Sequence, residues 1–152
     1  MKVRPAQRAE AAALTEIALA SKAHWGYDEA FLAACRDELT LHPADIERHR
    51  TTVAEEDGRV LGFTTLEGAP PQGVLGMMFV APDALGRGIG RLLFEHTMTE
   101  ARRLGFVRLT IDADPNAEPF YLAMGAVRVG ATPSGSIPGR ELPLLEYELT
   151  PR

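Results

Sequence analysis

Residues 73–104 read GVLGMMFVAPDALGRGIGRLLFEHTMTEARRL, and the order of elements inside this stretch decides the fold. Val74 to Val80 is an apolar strand, Pro82 and Asp83 mark a turn, and Gly86, Arg87, Gly88, Ile89 and Gly90 lead into a helix. Beyond the glycines, Ile89, Leu92, Leu93, His96, Thr97 and Leu104 recur on one side at helical spacing, whereas Arg91, Glu95, Arg102 and Arg103 fall elsewhere. The first turn of such a helix carries unpaired backbone N–H groups and the positive end of the helix dipole. Three alternating glycines remove the side chains that would hold a phosphate at a distance, and Arg87 and Arg91 add positive charge. The stretch reads as a pyrophosphate site.

Glycine loops serve several nucleotide folds, and the spacing separates them. A P-loop requires Lys and then Ser or Thr after its last glycine, but Gly90 is followed by Arg91 and Leu92. A dinucleotide fingerprint is G-x-G-x-x-G directly after the strand; here the glycines run G-x-G-x-G and begin several residues past Val80, although Asp112 lies about where a ribose-binding acid belongs. A ligand-free strand-to-helix turn is the remaining alternative, set against the backbone entropy that three glycines cost.

The Gly86–Gly90 loop after an apolar strand, followed by Asn116 and the cluster Phe120, Tyr121, Met124 and Gly125, resembles the GCN5-related N-acetyltransferases over roughly residues 51–130. That resemblance implies an acetyl-CoA co-substrate, held through the backbone of Met78, Phe79 and Val80, the loop Leu85, Gly86, Arg87, Gly88, Ile89, Gly90 and Arg91, and Asn116, Phe120 and Tyr121. Leu85 stands where the family motif usually begins with Gln or Arg, so contacts there rest on the backbone. The resemblance also assigns Tyr121 the protonation of the departing sulfur. A phenol with pKa ~10 is protonated at neutral pH and can donate to a thiolate, which supports that role; the alternative is a core aromatic.

Composition bounds the rest. A chain of 152 residues with 45% hydrophobic content can bury one core, so residues 1–152 are expected to form a single domain. The net charge of -5, with acids and bases interspersed, argues against nucleic acid as the main partner. Cys35 is the only cysteine, which excludes an intrachain disulfide and fits a reducing cytoplasm. MKVRPAQRAE lacks the apolar core of a signal peptide, and no run approaches the ~20 apolar residues of a membrane span. No metal site is expected, and a homodimer is an expectation of the family alone.

Read in order, Lys2 to Arg4 is a short strand, Gln7 to about Ser21 a helix, and Glu29 to about Leu39 a second helix capped by Asp28, with Cys35 on its apolar face. Pro43 to His49 reads as one or two helical turns. Thr51–Glu56, Asp57-Gly58 and Arg59–Glu67 make a hairpin that Val74–Val80 extends into an antiparallel meander. Val107–Asp112 follows the central helix, and the right-handed crossover rule sets it parallel to the strand before that helix. Pro119 places a helix cap near Asn116, and Ala126–Val129 with Leu144–Leu149 form a last antiparallel pair. The expected class is α+β: a mixed, mainly antiparallel sheet of six or seven strands with helices on both faces, the acyl-CoA N-acyltransferase fold.

For the acceptor, the family resemblance points to the junction of the first two helices, where His24, Trp25 and Tyr27 lie; the alternative is ordinary packing. The loop Ala131–Pro143 is long for a small domain and is expected over the acceptor side, with Arg140 offered to a substrate carboxylate, or else as a surface loop or dimer contact. The implied reaction is direct attack by an amine. Freeing the lone pair of an alkylammonium with pKa ~10.4 at pH 7.4 costs about 4 kcal/mol. Val74 to Val80 offers no carboxylate base, leaving Glu67, His24 or Asp112, or a weakly basic amine. Two classes therefore stand: an N-acetyltransferase acting on a small-molecule or peptide amine, and a non-catalytic acyl-CoA-binding sensor.

Overall fold

The structure, a computed structural model, describes residues 1–149; the last three residues of the expected domain lie outside the described residues. Seven strands, β1 (Lys2–Pro5), β2 (Thr52–Glu56), β3 (Arg59–Ala69), β4 (Gln72–Val80), β5 (Arg108–Asp112), β6 (Val127–Pro133) and β7 (Glu141–Glu148), form one sheet in the order β1-β2-β3-β4-β5-β7-β6. All pairings are antiparallel except β4–β5. The helices are α1 (Ala11–His24), α2 (Glu29–Leu39), α3 (Ile89–Leu104) and α4 (Glu118–Ala123). The α+β class and the parallel crossover through α3 agree with the sequence pattern.

Alternation along the strands builds a core on each face. Val53 and Phe63 pack with Leu14, Ala18, Cys35 and Leu39 of α1 and α2, while Leu66, Leu75, Leu109, Ile111 and Leu145 pack with Phe94, Met98 and Ala101 of α3 and Tyr121 of α4. Thr64 and Thr97 join β3 to α3 through a buried hydroxyl pair 2.8 Å apart.

Four boundaries depart from the sequence reading. The first helix begins at Ala11 after a 3-10 turn over Arg8–Glu10 and runs on to His24, because nothing breaks it before Gly26 at φ 91°. On α3, Leu92 and His96 lie on the exposed side; the buried stripe is Ile89, Leu93, Phe94, Thr97, Met98 and Ala101. The segment read as a loop over Ala131–Pro143 is strand at both ends: Ala131, Thr132 and Pro133 pair with Pro143, Leu142 and Glu141, leaving residues 134–140 as the connection. Pro133 ends an edge strand, where a missing N–H breaks no ladder. Finally, Asn116 does not cap α4. The cap position is Ala117, one residue on, with no side-chain bond to the helix; ahead of it Asp114 organises the turn, accepting from Asn116 N at 2.8 Å through its carboxylate and from Ala117 N and Glu118 N at 2.8 and 3.1 Å through its carbonyl.

Candidate active site

The sheet opens at its centre. β4 and β5 pair only from Gln72, Gly73 and Val74 to Arg108, Leu109 and Thr110, and beyond Val74 the strands diverge. Half the amide groups along Leu75–Val80 therefore face an opening instead of a neighbouring strand, and buried backbone groups of this kind require a partner. A cavity of about 480 Å³ occupies the opening.

The glycine loop forms one end of it. Gly86 and Gly88 hold φ of 80° and 77°, which residues with a Cβ rarely adopt, and a Cβ at Gly90 would come within 3.2 Å of Met78 Cε. Gly88 is the residue before α3, so the free N–H groups of that helix begin where the chain carries no side chain. Met78, Phe79, Val80, Leu85, Gly86, Gly88, Ile89, Gly90, Arg91, Asn116, Phe120 and Tyr121 all line this cavity. These features fit the pantetheine and pyrophosphate of an acyl-CoA. Arg87 does not line it: its guanidinium donates to both carboxylate oxygens of Glu56 at 2.8 and 2.7 Å. Arg91 pairs along its own helix with Glu95 at 2.7 Å.

Tyr121 is buried at 6% exposure, its ring against Phe94 and Phe120. No hydrogen bond among the described residues engages its hydroxyl, although Tyr121 lines the cavity. Burial, helped by the negative charge of Asp114, pushes the phenol well above its ordinary range. It is a proton donor throughout the physiological pH span.

The acceptor residues expected from sequence divide. Trp25 lines the cavity and is 42% exposed. His24, exposed beside it, is not among the residues that line the cavity. Tyr27 is not a free contact either. Its hydroxyl sits 3.0 Å from Asp114 Oδ2, accepts from Asn116 Nδ2 at 3.1 Å and from Arg140 Nη2 at 2.8 Å, and its ring stacks on Phe31 at 4.0 Å. Arg140, expected to be open to a substrate carboxylate, is thus engaged, with its cation also over Phe31 at 4.8 Å.

At the centre of this cluster lies Asp114, which sequence reasoning missed. Its carboxylate is 8% exposed and accepts from Lys22 Nζ at 2.6 Å. Burial pushes its pKa up, but the bond and charge of Lys22, with the Asn116 N–H and Tyr27, outweigh that and hold it low. The Asp-Pro-Asn sequence before the helix was the available signal. The cluster ties α1, the α1–α2 junction, the end of β5 and the β6–β7 connection together at one rim of the cavity.

A second cavity, of about 330 Å³, adjoins the first: Glu38, Leu75, Gly76, Met77 and Asp112 line both. Glu67 belongs to this second cavity and not to the acyl-CoA cleft. Burial and the charge of Glu38 push Asp112 up from the usual carboxylate range.

A sheet splayed between its two parallel strands, with a glycine loop and a buried phenol in the splay, defines an acyl-CoA acyltransferase. Residues 10–135 match the sequence profile described as acetyltransferase (GNAT) domain, and the chain belongs to that family of acetyl-CoA-dependent N-acetyltransferases. It is 38% identical over 125 residues, 81% of each chain, to the peptidyl-lysine N-acetyltransferase YiaC of Escherichia coli. In structure it resembles a GCN5-related N-acetyltransferase from Rhodopseudomonas palustris, at a TM-score of 0.77 and 26% identity over 97% of this chain and 94% of the other. A PaiA N-acetyltransferase from Thermoplasma acidophilum in complex with coenzyme A shares the fold at a TM-score of 0.78 and 17% identity over 97% and 98%. No helix among the described residues is long and apolar enough to cross a membrane.

Proposed function

We propose that this N-acetyltransferase acts on the side-chain amine of lysine in a peptide, with Tyr121 as the donor to the departing sulfur. The observation that carries the reading is the coincidence, in one cavity, of the open β4 edge, the Gly86–Gly90 loop and the unpartnered Tyr121 hydroxyl. The similarity to a peptidyl-lysine N-acetyltransferase supports the acceptor class. Acetyl-CoA supplies the activated acetyl group. The chain's own part is to bind and to move protons: Met78, Phe79 and Val80 offer strand-edge amides to the pantetheine, and the glycine loop with the start of α3 receives the pyrophosphate. Asn116 and Phe120 flank the thioester end beside Tyr121. Trp25 stands at the acceptor side, while Arg140 and Tyr27 brace that rim from behind.

Calorimetric titration with acetyl-CoA and thiol release with an N-terminally blocked lysine peptide test this reading. Tyr121→Phe is expected to keep acetyl-CoA affinity within about twofold and to lower kcat roughly 10²-fold, the scale of general-acid catalysis. Absence of acetyl-CoA binding, or full activity of Tyr121→Phe, overturns it.

A further inference from the structure

β4 carries no carboxylate of its own, yet one from β3 lies against it. In the β3–β4 ladder Thr65 faces Met77 and Leu66 faces Leu75, so Gly76 is an extra residue that bulges from β4. A Cβ built on Gly76 would lie 1.5 Å from Glu67 Oε2 and 2.8 Å from Thr65 Oγ1. The carboxylate of Glu67, on β3, therefore occupies the space of a side chain missing from β4. Thr65 Oγ1 donates to it at 2.9 Å. Gly76 lines both cavities, so this carboxylate, which lines the second, lies against a residue shared with the first.

Acidic and imidazole side chains line the second cavity. Glu38 of α2, His42, Asp45 and His49 of the following turns, and Asp112 of β5 line it with Glu67, and no Lys or Arg does. His49 Nε2 lies 3.9 Å from Glu67 Oε1. Thr51 also lines this cavity, at 4% exposure, and its hydroxyl has no hydrogen-bond partner among the described residues. A buried hydroxyl without a protein partner is satisfied by water or by a ligand in the cavity.

We propose that Glu67 takes the proton of the acceptor ammonium at Gly76 and passes it to the second cavity. This rests on the reading that the acetyl group is presented along β4. The amine nitrogen then forms its bond to the carbonyl carbon as the carbon–sulfur bond breaks. Of the two protons the ammonium sheds, one leaves through Glu67, and the other replaces the proton that Tyr121 gives to the sulfur. Acetamide and free thiol are the products, with no change of oxidation state.

The test compares Glu67→Gln and Gly76→Ala with the native protein, using an N-terminally blocked peptide carrying one lysine. Gly76→Ala is the independent probe, because the atoms nearest its methyl group are the ends of the Glu67 and Thr65 side chains, so it displaces the carboxylate without removing it. Acetyl-CoA affinity and melting temperature report on fold and cleft. Glu67→Gln and Gly76→Ala are expected to lose roughly 10²-fold in kcat/KM at pH 7.4. That deficit should shrink as pH rises toward the lysine pKa of ~10.4, where solvent deprotonates the amine. Both should bind acetyl-CoA normally. Native kcat/KM in both variants, or a deficit independent of pH, overturns the assignment. A native protein that binds acetyl-CoA and releases no thiol with the peptide overturns the proposed acceptor as well, which distinguishes the two failures.

Discussion

Replacing Asp114 by Ala removes the carboxylate on which four segments converge. Its pair with Lys22 is nearly dry, the side chains being 12% and 8% exposed, and the same carboxylate holds the Asn116 amides and the Tyr27 hydroxyl. Truncating one partner of a buried pair leaves the other charge uncompensated, at about 3–5 kcal/mol. For a domain of this size that is a large share of a total stability of roughly 5–15 kcal/mol, and it lowers the melting point by roughly 6–20 °C at about 2–4 °C per kcal/mol. Urea and thermal unfolding measure it directly. A Lys22→Met, Asp114→Leu double variant should recover most of the loss, since apolar side chains can replace a buried ion pair at little cost.

The pH dependence follows in sign. The folded pKa of Asp114 is depressed, so its contribution is complete above the ordinary carboxylate range near ~4 and declines as pH falls through the lower folded value. Native protein should therefore lose stability over that acidic window more steeply than the double variant does. A loss below 1 kcal/mol for Asp114→Ala, or equal slopes in acid, would refute the claim that this cluster holds the rim.

Two further outcomes test the glycine loop. Gly88→Ala should cost about 1–2 kcal/mol for placing a Cβ in the left-handed region, since Gly88 has no neighbour within 4 Å to add a clash, and it should weaken acetyl-CoA binding in calorimetry. Arg87→Ala should change acetyl-CoA affinity less than about threefold, because Glu56 already engages the guanidinium and salt screens so exposed a charge; a tenfold loss would return Arg87 to the phosphate site.

Much of the frame was legible from residue order. The amphipathic period of residues 89–104, the Asp57-Gly58 hairpin and the Asp28 cap are local signals, and the folded chain keeps each: Asp57 and Gly58 both adopt positive φ, and Asp28 accepts from Phe31 N at 2.8 Å. The misreadings were also local. The turn ahead of α4 is organised by Asp114 where the sequence points to Asn116, and among the prolines of 131–143 that suggest a loop Pro133 ends β6 and Pro143 lies within β7.

By itself, then, the sequence determined the elements, their order, the glycine loop at the start of α3 and the phenol of Tyr121, because periodicity, capping and glycine conformations act within a few residues. Only the tertiary structure decided where β4 leaves β5, that Arg87 turns to Glu56, and that Lys22, Tyr27, Asp114 and Arg140 meet. It likewise set the carboxylate of Glu67 over the bulge at Gly76. Strand divergence and long-range charge pairing depend on how two faces of a sheet pack against different helices, and no spacing along the chain records that.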